Sequence, residues 1–247
     1  MSKAGRELAE LAAEVASCRL CPRLVAWREA VAADPPRRYR GERYWARPLP
    51  GFGDPRALVV VIGLAPAAHG GNRTGRVFTG DRSGDWLFAA LHRAGFANQP
   101  TSVHPGDGLR LAGAYVTAVV KCAPLANKPT PAERDTCLPY LLRELRLLGQ
   151  ARVLVALGKF GWDGALSALR RLGYDVPRPK PEFGHGAEVK IGPLTLLGCF
   201  HPSQQNTFTG KLTEDMIDAV FARARASASV QDRAPRPSTS SATPRPT

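Results

Sequence analysis

Four short runs of apolar residues punctuate the chain: Leu58-Val59-Val60-Val61-Ile62-Gly63, Tyr115-Val116-Thr117-Ala118-Val119-Val120, Val153-Leu154-Val155-Ala156-Leu157-Gly158 and residues 194–200. Unbroken runs rich in β-branched residues read as strands covered on both faces. Between them the apolar period lengthens to that of a helix. Helices are predicted over residues 5–16 (Leu8, Leu11, Ala12, Val15), from Leu24 to about Val31, and from Ser83 to Arg93 with Trp86, Leu87, Ala90 and Leu91 on one face. Thr130-Pro131-Ala132-Glu133 is a capping box with proline at the first helical position, opening a helix to about Leu148. Another helix follows the third strand to about Leu172, and a last one runs from Thr213 to Arg225, with Glu214 and Asp215 in the first turn where they oppose the helix dipole. Strands alternating with helices imply crossover units. The expected fold class is therefore α/β: three layers, α/β/α, around a central four-stranded, mainly parallel sheet.

The polar stretch over residues 34–56, rich in Pro, Gly and Arg, reads as loop. Residues 227–247 are mostly Ser, Thr, Pro, Ala and Arg. Such a segment buries too little apolar surface to fold, so one domain over 1–226 and a disordered tail are expected.

In open α/β sheets, ligands bind beyond the carboxyl ends of the strands. Strand one runs into Leu64-Ala65-Pro66-Ala67-Ala68-His69-Gly70-Gly71-Asn72-Arg73, and strand two into Lys121-Cys122-Ala123-Pro124-Leu125-Ala126-Asn127. Strand three gives Gly158-Lys159-Phe160-Gly161, and strand four His201-Pro202-Ser203-Gln204-Gln205-Asn206 and on to Lys211. Polar loops are ordinary; this density of Gly, His and Asn at one sheet edge marks an active-site rim.

Cys18 and Cys21 form a C-x-x-C between two helices, Cys122 follows strand two, and Cys137 lies in the next helix. The spacing matches neither a zinc finger nor a common ferredoxin. Four thiolates suit tetrahedral zinc or a [4Fe–4S] cluster, and the spacing leaves both open beside the plainer reading of buried core cysteines. Cys199, in an apolar run, reads as strand core.

Charge narrows the partners. Lys and Arg number 34 against 21 Asp and Glu, a formal net charge of +13. A domain this basic either repels itself or meets a polyanion, of which nucleic acid is the commonest. General basicity is the plainer alternative. The run Arg37-Arg38-Tyr39-Arg40-Gly41-Glu42-Arg43-Tyr44-Trp45 interleaves basic and aromatic groups, as backbone binding with stacking requires. No segment is apolar for the length of a membrane span, and the start carries acids, unlike a secretory signal. A cytoplasmic, monomeric protein is expected, in a compartment where disulfides are rare.

The run from Gly63 to Asp81, with Ala65 and Phe78 in it, resembles the first active-site motif of the family-5 (type B) uracil-DNA glycosylases. His201-Pro202-Ser203-Gln204-Gln205-Asn206-Thr207 resembles their second motif. Cys18-Arg19-Leu20-Cys21-Pro22-Arg23 and Lys121-Cys122-Ala123-Pro124, followed by Asn127-Lys128-Pro129-Thr130-Pro131, resemble the cluster segments of the iron–sulfur uracil-DNA glycosylases. The resemblance covers about residues 5–225. It implies an α/β/α fold and a [4Fe–4S] cluster on Cys18, Cys21, Cys122 and Cys137. It also implies hydrolysis of the N-glycosidic bond of uracil, and of other deaminated or damaged bases, in DNA. Phe78 is then expected to stack on the base and Asn127 to read its edge, with Gly63 and Ala65 offering backbone donors. His201 would face the oxygen that becomes anionic, and Asp81 would orient water. No carboxylate or amide lies earlier in the first motif, and Asp81 also suits a helix cap. His69, Asn72, Arg73, Asn206 and Lys211 are expected to contact DNA or support the site. The plainer alternative is a nucleic-acid-binding module without catalysis; a nucleotide-binding reading fails because the loop after strand one lacks G-K-[ST] and G-x-G-x-x-G.

Overall fold

The computed structural model describes residues 2–232. All four apolar runs are strands: β2 (Val59–Gly63), β3 (Ala114–Ala118), β4 (Val153–Leu157) and β6 (Leu194–Cys199). They pair in parallel in the order β3-β2-β4-β6, with Val61 opposite Val116 on one side and Val155 on the other. Among the described residues, two further strands extend the expected four to six. β1 (Phe52–Gly53) lies antiparallel on β3, inside the stretch read as loop, and β5 (Glu188–Ile191) lies antiparallel on β6. Both are edge strands. β1 is too short to carry a pattern, and β5 alternates charged and apolar residues because it is less buried than the central strands.

The pleat divides the core. Val60 and Ile62 face a cluster with Leu138, Leu141, Trp162 and Leu169, while Val59 and Val61 face one with Leu87, Phe88, Ile217 and Phe221. The first layer is α1 (Lys3–Ser17), α5 (Pro131–Leu147) and α6 (Gly158–Arg171); the second is α4 (Arg82–Arg93) and α8 (Glu214–Asp232). Each fully buried Val, Leu or Phe contributes about 1.5–3 kcal/mol of transfer free energy. The three layers expected from the alternation are therefore present.

Helix α5 starts as its sequence prescribes: Thr130 Oγ1 accepts from Glu133 N at 3.2 Å, and Thr130 N donates to Glu133 Oε2 at 2.8 Å. α2 (Pro22–Ala33) begins directly after Cys21, with Pro22 in its first turn. The expected rim segment Gly158–Gly161 is instead the first turn of α6, because Gly158 takes a left-handed conformation (φ 78°) that turns strand straight into helix. α8 continues past Arg225, and Ala228 is buried, so the fold extends beyond residue 226. Residues 233–247, the bulk of the expected disordered tail, lie outside the described residues. Among the described residues, no helix is long and apolar enough to cross a membrane.

Candidate active site

Because the four central strands are parallel, their carboxyl ends share one edge, and the segments leaving them build two adjoining hollows. One, of about 470 Å³, is lined by Leu64 to Ala67, Phe78, Asp81, Arg82, Asn127, His201 and Gln204 among others. The other, of about 440 Å³, shares Ala67, Asp81, Arg82, Asn127 and Gln204 with it and adds Trp27, Arg38, Tyr39, His69 and Gly70. The structure thus brings Ala65, Phe78, Asp81, Asn127 and His201 around one cleft. Gly63 lies behind it.

Gly63 ends β2 against the Phe78 ring. A Cβ there would stand 2.5 Å from the ring's Cζ, so only glycine allows the ring to lie on the strand end. Phe78 itself adopts φ 51°, a left-handed conformation costly for a bulky residue. A buried network below it supports that backbone. Arg76 donates to both carboxylate oxygens of Asp107 at 3.0 and 2.6 Å, to Ser102 Oγ at 2.8 Å and to Thr79 Oγ1 at 3.0 Å. The Arg76 guanidinium and the N–H groups of Val103 and Leu109 hold the Asp107 carboxyl far below the usual range, against the opposing effect of burial. The sequence reading missed Arg76 and Asp107; their separation of 31 positions along the chain hid the pair.

Asp81 is the N-cap of α4, as its position before Arg82-Ser83-Gly84 suggested: Oδ1 accepts from Gly84 N at 3.0 Å. Its other oxygen turns toward Gly70, where a Cβ would come within 1.9 Å of Oδ2. Burial raises the Asp81 pKa despite the hydrogen bonds from Gly84 and Ser83. A carboxylate with one oxygen capping a helix and the other lining a cleft is poised to accept a proton or hold water.

His201 follows β6. Its ring centroid is 6.0 Å from that of Phe78, at 34°. Burial lowers its pKa to about 4, so the imidazole is neutral at pH 7 and can donate from one nitrogen. Its carbonyl accepts from Asn206 Nδ2 at 2.9 Å and from Ser203 N at 2.8 Å. Asn206, in the short helix α7 (Gln204–Phe208), thereby fixes the histidine's backbone. Asn127 is exposed at the cleft with its backbone left-handed (φ 56°), as is that of Ala126 before it. Its side-chain amide makes no hydrogen bond within the described residues.

The remaining polar candidates divide by burial. His69 lines the second hollow; its Nδ1 meets Tyr44 Oη at 3.0 Å, and burial, with Arg38 and Arg73, lowers its pKa. Arg73 is fully engaged: it donates to His69 O, Glu42 Oε2 and Gly80 O, and its guanidinium lies 4.2 Å from the Tyr39 ring centroid. Asn72, in the short helix α3 (Gly71–Thr74), is buried and donates to Arg28 O at 3.3 Å, so it braces the wall from behind, out of reach of a bound strand. Lys211 is exposed, with Nζ 5.1 Å from the Phe200 ring centroid. Arg37, Arg38, Arg40, Arg43 and Arg47 are all exposed; Arg38 lines the second hollow, and Arg37 and Arg40 line a further one that shares Trp27 and His69 with it.

Cys18, Cys21, Cys122 and Cys137 line one common hollow with Leu20, Leu24, Val25, Arg28 and Tyr140. Cys122 Sγ accepts from Arg28 Nη1 at 3.0 Å, and Cys137 Sγ from Lys121 N at 3.2 Å. Burial pushes the two thiols up to about 11 and about 12. Among the described residues, no three His, Cys, Asp or Glu side chains approach closely enough to hold a single metal ion. One ion draws its donors to within a bond length of a point, whereas a multi-iron cluster spreads them around its core. Four cysteines surround one apolar hollow, and two of them accept hydrogen bonds, a thiolate donor set of the kind that a multi-iron cluster takes. Cys199 is buried in the sheet core, as its apolar surroundings imply.

Residues 50–225 match the family described as the uracil DNA glycosylase superfamily. The chain is 53% identical over 226 residues to a type-5 uracil-DNA glycosylase of Mycobacterium tuberculosis, covering 91% of this chain and 83% of the relative. It is 50% identical over 210 residues to the type-5 enzyme of Thermus thermophilus (85% and 93% covered) and 43% identical over 212 residues to that of Pyrobaculum aerophilum (86% and 89%).

Proposed function

The chain belongs to the uracil-DNA glycosylase superfamily, and from that premise we propose that it is a monofunctional hydrolase that removes uracil from DNA, leaving an abasic site, as the first step of base-excision repair. The observation that carries this reading is the cleft itself: an aromatic face, an unengaged amide, a neutral imidazole and a half-buried carboxylate surround one space.

A base inside a duplex is out of reach, so the enzyme extrudes it into the cleft. Phe78 offers the π-face. Asn127 offers both a donor and an acceptor to the uracil edge. As the glycosidic bond stretches, electrons move onto the base. His201, neutral and with its backbone held by Asn206, donates to the oxygen where that charge gathers, and the backbone near Ala65 closes the same side. Donors fixed before the reaction stabilise such charge without reorganising. The sugar becomes cation-like. Asp81 stabilises it by charge and accepts one proton of the water whose oxygen bonds to the sugar carbon; that proton then passes through solvent to the departing base anion, which regenerates the carboxylate. The hollow beside the uracil cleft gives room for other deaminated or damaged bases.

Cys18, Cys21, Cys122 and Cys137 would hold a [4Fe–4S] cluster. When bound, it supplies a cross-link between the N-terminal helices and the segment that carries Asn127, with no part in the bond cleavage. A monomer in the cytoplasm, where disulfides are rare and cysteines stay available to a cluster, is part of the same proposal.

Incubation with an oligonucleotide containing one uracil, followed by heating in alkali, tests the activity. Strand cleavage at the uracil is expected. Binding without cleavage would make the protein a recognition module.

A further inference from the structure

Arg28 is only 2% exposed, although it carries a permanent charge. A buried charge is ordinarily paired with its opposite. Lys121, the other cation lining the cysteine hollow, is buried and follows that rule, and the exposed Arg23 beside Cys21 is paired too. Lys121 Nζ donates to Glu144 Oε2 at 2.6 Å, and Arg23 to both oxygens of Glu133 at 2.7 and 2.6 Å. Glu29, next in sequence to Arg28, is engaged by Arg19. Arg28 forms no ion pair with any carboxylate among the described residues. Its Nη1 points at Cys122 Sγ (3.0 Å), its Nη2 donates to Cys18 O (3.2 Å), and its Nε is buried with no partner. The guanidinium thus reaches two of the four cysteine residues, aims a hydrogen bond at one sulfur, and has a donor to spare.

We propose that Arg28 is the built-in counter-charge of the group that the four cysteines hold. The proposal rests on the iron–sulfur reading above. Four thiolates outweigh the positive charge of a [4Fe–4S] core, so the bound cluster is an anion, and it supplies the partner that no carboxylate among the described residues provides. Each then stabilises the other: the cluster offsets the cost of burying the guanidinium, and the guanidinium lowers the cost of burying the anion. A fixed cation beside a redox-active cluster also favours its more reduced state. Arg28 further ties the cluster to the cleft, because its carbonyl accepts from Asn72 Nδ2, and Asn72 N donates to Ala67 O in the cleft wall at 3.1 Å.

The test uses the full chain, made under iron-replete, anaerobic conditions, with Arg28→Met and Arg28→Lys beside the wild type. Iron and sulfide content of the wild type is measured first. A wild type that carries zinc, or no metal, defeats the cluster reading itself. With the cluster present, Arg28→Met is expected to lose iron to a chelator at least tenfold faster than wild type. Its cluster should also favour the oxidised side of a one-electron couple about tenfold more, a midpoint about 59 mV lower. Arg28→Lys keeps the charge in a different shape and should restore most of both properties. Wild-type iron retention and potential in Arg28→Met would overturn the proposal. If Arg28→Met does not fold, Arg28→Lys decides alone: a midpoint shifted as far as expected for Met would assign the residue a role of shape and not of charge.

Discussion

Asp81 has two roles that one substitution can separate. Asn caps a helix about as well as Asp but cannot take a proton from water. Asp81→Asn is therefore expected to melt near the wild-type temperature while single-turnover uracil release falls by about 10²-fold or more, within the usual range for a lost general base. Asp81→Ala should lose the rate and also about 1 kcal/mol of stability as the cap goes. Equal rates for wild type and Asp81→Asn would remove the carboxylate from the reaction. Because burial raises the Asp81 pKa, the acid limb of the rate profile is expected above the ordinary carboxylate range. His201 carries a pH signature of its own. Its folded pKa of about 4 lies below the unfolded value of about 6.5, so the stability of its neutral form is fully present above that value. As pH falls through this window toward the folded value, the unfolded chain binds the proton first and stability drops. Denaturant midpoints from pH 7 to pH 4 should decline less in His201→Asn than in wild type.

At the scale of elements, the cleft depends on segments that are not regular structure. Residues 76–80 leave a buried arginine network and enter α4 through its cap, which holds Phe78 in its left-handed conformation. Arg76→Met leaves the Asp107 carboxylate buried without its cation, a change that typically costs about 3–5 kcal/mol. Chemical denaturation should show that loss, and base binding should weaken as Phe78 loses its support. The elements themselves were well marked in the sequence. The central strands, the capping box of α5 and the acidic start of α8 each lie within a residue or two of their expected limits. Edge strands β1 and β5 were not legible, because short or half-exposed strands lack the continuous apolar run that identifies a buried one.

For the whole molecule, charge is the property that matters most. A net +13 with exposed arginines beside the cleft implies phosphate contacts that release counter-ions on binding. The logarithm of affinity for a uracil-containing oligonucleotide should fall linearly with the logarithm of salt concentration. Replacing Arg38 and Arg40 with Ala should make that slope shallower. A slope near zero would contradict a phosphate-dominated interface.

The amino-acid order by itself determined the alternation of strands and helices, since buried parallel strands and amphipathic helices have different apolar periods. It also determined which edge would carry the site, because parallel strands place all their carboxyl ends together. Motif resemblance marked Phe78, Asp81, Asn127 and His201, and all four meet at one cleft. Only the tertiary structure separated Asn72, buried, and Arg73, engaged within the protein, from groups free to meet a ligand, because burial and hydrogen bonding are set by distant partners. It alone paired Arg76 with Asp107 and left Arg28 among the cysteines with no carboxylate partner among the described residues. A charge is satisfied by whatever the fold brings beside it, and no local pattern in the chain records that neighbour.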